Sequence, residues 1–127
     1  MTYDRVSCGG VLLKKENNVT QVLLLHRFKT DSWKYDSWHL PKGKKLANET
    51  NRETAIREIK EETGYETRII KYLISLESTY DNGKRKVTHY YLCAPIKSLT
   101  THDTEHDEVV WKTLKEAEIL LAKFPIW

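Results

Sequence analysis

Apolar and polar positions alternate in blocks along this chain, and the blocks predict its elements. Residues 6–14 (VSCGGVLLK) and 21–28 (QVLLLHRF) are nearly continuous apolar runs. Runs of this kind read as strands covered on both faces, which predicts a sheet between helices. Glu16-Asn17-Asn18 supplies the turn between them. Gly9-Gly10 weakens the first run locally and marks a bulge or a close backbone approach. Residues 29–37 (KTDSWKYDS) are a polar loop, and 38–43 (WHLPKG) lead out of it. A long strand is predicted over 67–80, then a tight turn at Asp81-Asn82-Gly83, then an antiparallel return over 84–96 that Pro95 should end. Residues 97–107 read as a second polar loop, and 108–112 (EVVWK) as a short last strand.

Two helices complete the pattern. Thr50 followed by Glu53 is a capping-box pair, and Gly64 is a left-handed stop. Ala55, Ile56 and Ile59 form the apolar stripe that docks this helix on the sheet. Thr113 and Glu116 repeat the capping box and open a helix to about Lys123, with Leu114, Ala117, Leu120 and Leu121 as its apolar residues. The tail Phe124-Pro125-Ile126-Trp127 leaves that helix at Pro125 and is expected to pack on the surface. The expected fold is α/β, a mixed β-sheet sandwiched between helices (α/β/α), in one domain over 1–127.

Composition narrows the class. The 127 residues suit one domain with a modest core. No apolar run approaches the ~18 residues of a membrane span, and the first ten residues lack a signal-peptide core. Two cysteines, Cys8 and Cys93, are too few for a disulfide scaffold, so a cytoplasmic setting is expected. The net charge is +3 without a long basic stripe, which argues against a DNA binder and weakly for an anionic partner.

The first helix carries the chemistry. With Glu58 as zero on a helical wheel, Glu61 and Glu62 fall at about −60° and +40°, on one stripe. Like charges so close cost a few tenths of a kcal/mol per pair. They read either as a solvated acidic face relieved by Arg52, Arg57 and Lys60, or as a site for a hard divalent cation bridging carboxylates to substrate phosphates.

The wider spacing separates the two readings. Gly43, five residues, Glu49, seven residues, then Arg57-Glu58-Ile59-x-Glu61-Glu62-x-Gly64-Tyr65 resembles the Nudix box. Tyr65 alone departs from it, standing where the pattern has an aliphatic residue. The resemblance implies a Nudix fold and hydrolysis of a nucleoside diphosphate linked to another group. It implies Mg²⁺, with Mn²⁺ as a substitute. It makes Glu58 and Glu62 direct metal ligands and the Gly43 carbonyl a further one. Glu61 would bind through water or act as a supporting base, and Arg57 would pair with Glu49 to hold the loop against the helix.

Residues outside the box resemble one subfamily, the asymmetric diadenosine tetraphosphate hydrolases. Trp38-x-x-Pro41-Lys42-Gly43 resembles their entry to the box. Lys84-Arg85-Lys86-Val87-Thr88-His89-Tyr90-Tyr91-Leu92 resembles their basic hairpin, with Tyr90 at the adenine-stacking position and Lys84 and Lys86 as phosphate contacts. Residues 105–111 (EHDEVVW) resemble their Glu-His-x-x-x-x-Trp stretch, which favours Glu105 over Glu108 as the base. Trp33 and Trp38 either stack on a base or cap the core edge, and His39 is the histidine nearest the box. The departures are Leu46-Ala47-Asn48-Glu49, in place of a Pro-Gly-Glu turn, and the short C-terminus. The expected reaction is diadenosine tetraphosphate to ATP and AMP, by a monomer or weak dimer that meets no membrane. The alternatives are pyrophosphate removal from an RNA 5′ end, sanitising of nucleoside triphosphates, and nucleotide sensing without catalysis.

Overall fold

The computed structural model describes residues 2–31, 36–99 and 108–123. In order they form β1 (Arg5–Glu16), β2 (Val19–Arg27), β3 (Ser37–His39), β4 (Lys42–Lys44), α1 (Asn51–Thr63), β5 (Tyr65–Thr79), β6 (Arg85–Ser98), β7 (Glu108–Thr113) and α2 (Leu114–Lys123). No helix among the described residues is long and apolar enough to cross a membrane.

Local chemistry sets the turns and caps. Asn17 (φ 51°) and Asn18 (φ 64°) make the two-residue turn between β1 and β2, where two left-handed residues match the strand twist. Thr50 accepts from the Glu53 amide while Glu53 accepts from the Thr50 amide, and Gly64 (φ 77°) closes α1 on the Lys60 carbonyl. At α2, Thr113 and Glu116 exchange the same pair of bonds.

The sheet runs β3-β2-β1-β6-β5, with β4 against β1 and β7 against β2. β1 divides its length between partners. Residues 13–16 pair antiparallel with β2, whereas residues 5–12 pair parallel with β6 and residues 7–9 also pair with β4. β2 meanwhile turns to β3 and β7. Two cores follow. Ala55 and Ile59 of α1 pack with Cys8, Leu12, Leu23, Leu25, Tyr91 and Cys93. Ala117 of α2 packs with Val22 and Leu24, joined by Val11 and Leu13. Alternate β2 residues therefore serve opposite cores, as a strand covered on both faces requires.

Gly9 and Gly10 mark close approaches. A Cβ on Gly9 would lie 2.1 Å from the Pro41 carbonyl oxygen, where the chain enters β4. One on Gly10 would lie 2.6 Å from Ile59 Cδ1 and 2.9 Å from Cys93 Sγ, in the seat of α1.

Four expectations are corrected. Pro95 does not end its strand: β6 continues to Ser98. Its pairing with β1 stops at Cys93, and Pro95 faces Thr67 beside a register shift, so the missing N–H interrupts no regular ladder. Tyr65 already lies in β5. The stretch after the polar loop holds β3 and β4, strands too short to read by periodicity. Ile56 (40%) and Leu114 (51%) are exposed, so the buried stripes are narrower than the sequence implied.

One ion pair fixes the chain between β4 and α1. Arg57 Nε donates to Glu49 Oε2 at 2.6 Å, and Nη2 to Glu49 Oε1 at 2.9 Å. Nη2 also reaches the Lys44 carbonyl at 3.0 Å. Glu49 accepts besides from Thr54 Oγ1 at 2.9 Å and the Leu46 amide at 3.1 Å. The Arg57 hydrogen bonds, aided by these donors, hold the Glu49 carboxyl down at about 2.

Two predictions follow from this architecture. Gly10→Ala should cost about 1–3 kcal/mol by overpacking. Adding Ile59→Val, which removes the Cδ1 atom in the way, should recover part of that, and strict additivity in denaturant melts would contradict the contact. Glu49 has a depressed folded carboxyl, so its stabilisation is full above the unfolded value near 4.5 and is lost as pH falls toward about 2. Glu49→Gln should therefore melt lower at pH 7 and show a shallower acid-side decline of Tm than the parent.

Candidate active site

α1 presents its carboxylates toward β4. Glu62 is 6% exposed, and its Oε1 accepts from the Lys42 amide at 2.7 Å. Glu58 faces Gly43 so closely that a Cβ there would lie 2.0 Å from the Glu58 carboxyl carbon. A glycine thus provides the cradle for this carboxylate. Glu61 sits at the rim, with its side chain 52% exposed. Arg57 Nη1 holds Glu58 Oε1 at 2.7 Å and reaches Glu61 Oε2 at 3.3 Å. Burial pushes the Glu58 carboxyl up, against the pull of Arg57.

These donors fit a hard divalent cation in kind. They are carboxylate oxygens set against Lys42 and Gly43 of β4. No group of three acidic, histidine or cysteine side chains is already gathered among the described residues. Arg57 instead occupies two of the carboxylates. A cation would take Glu58 and Glu62, complete its shell with a main-chain oxygen such as that of Gly43, and draw Glu58 from Arg57.

The opposite face of β1 and β6 is cationic. Cys8, Tyr91 and Cys93 point to α1, so the intervening β6 residues Lys86, Thr88 and Tyr90 point away from it. Lys42 pairs in register with Gly9 and meets Lys86 within hydrogen-bonding reach. Burial, then the neighbouring Lys86 and Arg5, pull the Lys42 amine down to about 7. Tyr90 is 3% exposed, and burial raises its hydroxyl well above the usual range. Lys42, Lys86, Tyr90 and Glu62 therefore share one locality. Lys84 lies apart, exposed at the β5–β6 turn, where its amide donates to Asn82 Oδ1 at 3.0 Å.

The other sequence-selected residues fall elsewhere. His39 pairs with Leu25 at the β3 edge. Trp38 stacks on His26, with ring centroids 4.0 Å apart and planes 5° apart, and packs on the α2 core. Of its two readings, the core edge is the one observed. Glu108 meets His26 Nδ1 at 2.6 Å, and His26 Nε2 lies 3.9 Å from Asp36. Sequence gave no reason to single out this pair, because it depends on the β2–β7 register that sets His26 opposite Glu108. Trp33, Glu105 and the tail 124–127 lie outside the described residues.

Among curated relatives, a CMP-5'-(N-acetyl-N-hydroxy-3-aminopropyl)phosphonate hydrolase of Streptomyces rubellomurinus is 33% identical over 120 residues, covering 89% of this chain and 55% of that protein. The chain spans between 31% and 55% of the length of four curated relatives that it matches. A NUDIX hydrolase structure from Nitrosomonas europaea superposes with a TM-score of 0.78 at 17% identity, covering 96% of this chain and 80% of that one. A C. elegans Ap4A hydrolase binary complex superposes with a TM-score of 0.76 at 24% identity, covering 95% and 88%. At these identities the two structures establish the fold, a mixed sheet with flanking helices. Residues 4–127 match the NUDIX domain, and the chain belongs to the Nudix family.

Proposed function

We propose that this chain is a Mg²⁺-dependent hydrolase of nucleoside-diphosphate-linked substrates, with diadenosine tetraphosphate, split to ATP and AMP, as its first substrate. The observation that carries this reading is the seating of Glu58 on Gly43 and of Glu62 on the Lys42 amide, directly beside a cationic strand face. A polyphosphate brings several negative charges to a cluster of carboxylates. When bound, the cation offsets that charge and acidifies water next to the scissile anhydride. Glu58, Glu62 and the Gly43 carbonyl are the residues to hold it. Water adds to one phosphorus, the bridging P–O bond breaks, and the proton passes to a carboxylate.

Glu61, exposed at the rim, suits a supporting base. Glu105 is the first candidate for the principal base, on its resemblance alone. Glu108, engaged by His26, is the second. Arg57 and Glu49 are positioning residues, since they bind each other and the loop. Lys42 and Lys86 face the phosphate chain. Tyr90, buried on the same face, would line the floor of the adenine site.

Glu58→Gln and Glu62→Gln should each lower turnover by about a hundredfold or more, on the several-kcal/mol scale of metal-ion catalysis, while circular dichroism stays unchanged. The assay follows products from diadenosine tetraphosphate, from capped or triphosphorylated RNA and from nucleoside triphosphates, each with Mg²⁺ and with chelator. ATP plus AMP, abolished by chelator, supports the proposal. Turnover of RNA or triphosphates alone overturns the substrate, and full turnover in both variants overturns the metal assignment.

A further inference from the structure

His26 stands where the pattern of β2 calls for an apolar residue. Val22 and Leu24, at the alternate positions before it, pack in the core under α2. His26 continues that stripe and is 7% exposed. Its Nδ1 donates to Glu108 Oε1 at 2.6 Å, and its Nε2 lies 3.9 Å from Asp36 Oδ1. Phe28 and Trp38 both pack on its ring with centroids 4.0 Å away, and the Trp38 ring lies parallel to it. Lys112 Nζ, from β7, is 5.2 Å from the centroid of Trp38. One imidazole therefore joins β2 to β3 through the indole and to β7 through the carboxylate.

Stability does not account for this joint. The side chain of Glu108 is 42% exposed and that of Asp36 59%, so water would solvate either one without His26. An ion pair with partners so exposed adds little to the fold. A leucine of similar volume would fill the same place in the core. What the imidazole adds is direction. The bond from Nδ1 fixes the plane of its ring, and the ring fixes the plane of the indole. Only His39, Leu40 and Pro41 separate Trp38 from Lys42. Along that short link the Pro41 carbonyl accepts from the Gly10 amide at 3.1 Å. The next two residues seat the carboxylates of α1: the Lys42 amide holds Glu62, and Gly43 makes room for Glu58.

We infer that His26, held by Glu108, is a positioning residue for the carboxylates of α1, acting through Trp38 and β3 on β4. Glu108 then serves position and not proton transfer. The consequence for turnover rests on the proposed function, whereas the consequence for β4 does not.

The test is amide hydrogen exchange, followed by NMR on the whole chain without metal. His26→Leu should speed exchange of the Lys42 amide about tenfold and leave the Cys93 amide, in the middle of β6, unchanged. Glu108→Ala should do the same, and the double variant should be no faster than either, because both break one unit. Glu108→Gln still accepts from Nδ1 and should stay within about threefold of the wild type. Equal acceleration at Lys42 and Cys93 makes His26 a general stabiliser, and unchanged exchange at Lys42 detaches it from β4. Either result overturns the inference.

Turnover gives a second readout. With diadenosine tetraphosphate, His26→Leu should lower kcat about tenfold and leave KM unchanged, the mark of a misplaced reacting group. Glu108→Gln should cost about threefold and keep the shape of the pH–rate profile. A loss of about a hundredfold in Glu108→Gln, with the acid limb of the profile gone, would make Glu108 the base and overturn its positioning role. No turnover by the wild type, beside the exchange pattern above, overturns the hydrolase and supports the positioning of β4.

Discussion

The region between β4 and α1 depends on a single guanidinium. Arg57 holds Glu49 by two hydrogen bonds, touches Glu58 and Glu61, and ties the Lys44 carbonyl to the helix. Without it, the carboxylates of Glu49, Glu58 and Glu61 would crowd together with no guanidinium between them. Like-charge pairs on a helix cost only a few tenths of a kcal/mol each in water, but Glu58 is half-buried, where the penalty grows. The planar fork of arginine suits this position. It binds one carboxylate along an edge and still has Nη1 for others, which a lysine could not do.

That arrangement sets the terms for binding a cation. Arg57 grips Glu49 through Nε and Nη2, and Glu58 and Glu61 through Nη1 alone. Were a cation to draw Glu58 away from Nη1, the Nε and Nη2 clamp on Glu49 and the Lys44 carbonyl would stay in place. Structural and exchangeable contacts are divided between two ends of one side chain. Gly43 serves the same end from the strand side, since any side chain there would displace the Glu58 carboxylate.

How much of this was legible in the sequence follows the range of the interactions. Local signals read well. The capping boxes at Thr50 and Thr113, the Gly64 stop and the Asn17-Asn18 turn depend on neighbours within a few residues, and they formed as expected. The spacing of the box was legible because a helix converts sequence distance directly into angle. Long-range pairing was not. Nothing in the sequence says that β1 divides itself between β2 and β6, which opposes Ser7 to Thr88, or that β2 pairs with β7, which opposes His26 to Glu108. Pro95 misled because the rule on proline concerns the ladder bond it removes, and the β1 ladder had already ended. Glycine at 9 and 10 announced a close approach but not its partners, Pro41 and Ile59.

The sheet separates two electrostatic environments by the thickness of one strand. β4 is the hinge of that separation. Its residues alternate, so Gly43 meets the carboxylates of α1 while Lys42 turns to the cationic face of β1 and β6. The Lys42 amide nevertheless binds Glu62, so one residue touches both environments, backbone to the acidic side and side chain to the basic one. An extended polyanion crossing β4 would meet the carboxylates, which need a cation between them and it, and then the lysines, which need nothing. Position along the phosphate chain would follow from that order. A phosphorus at the acidic edge would be the one within reach of a cation held by Glu58 and Glu62.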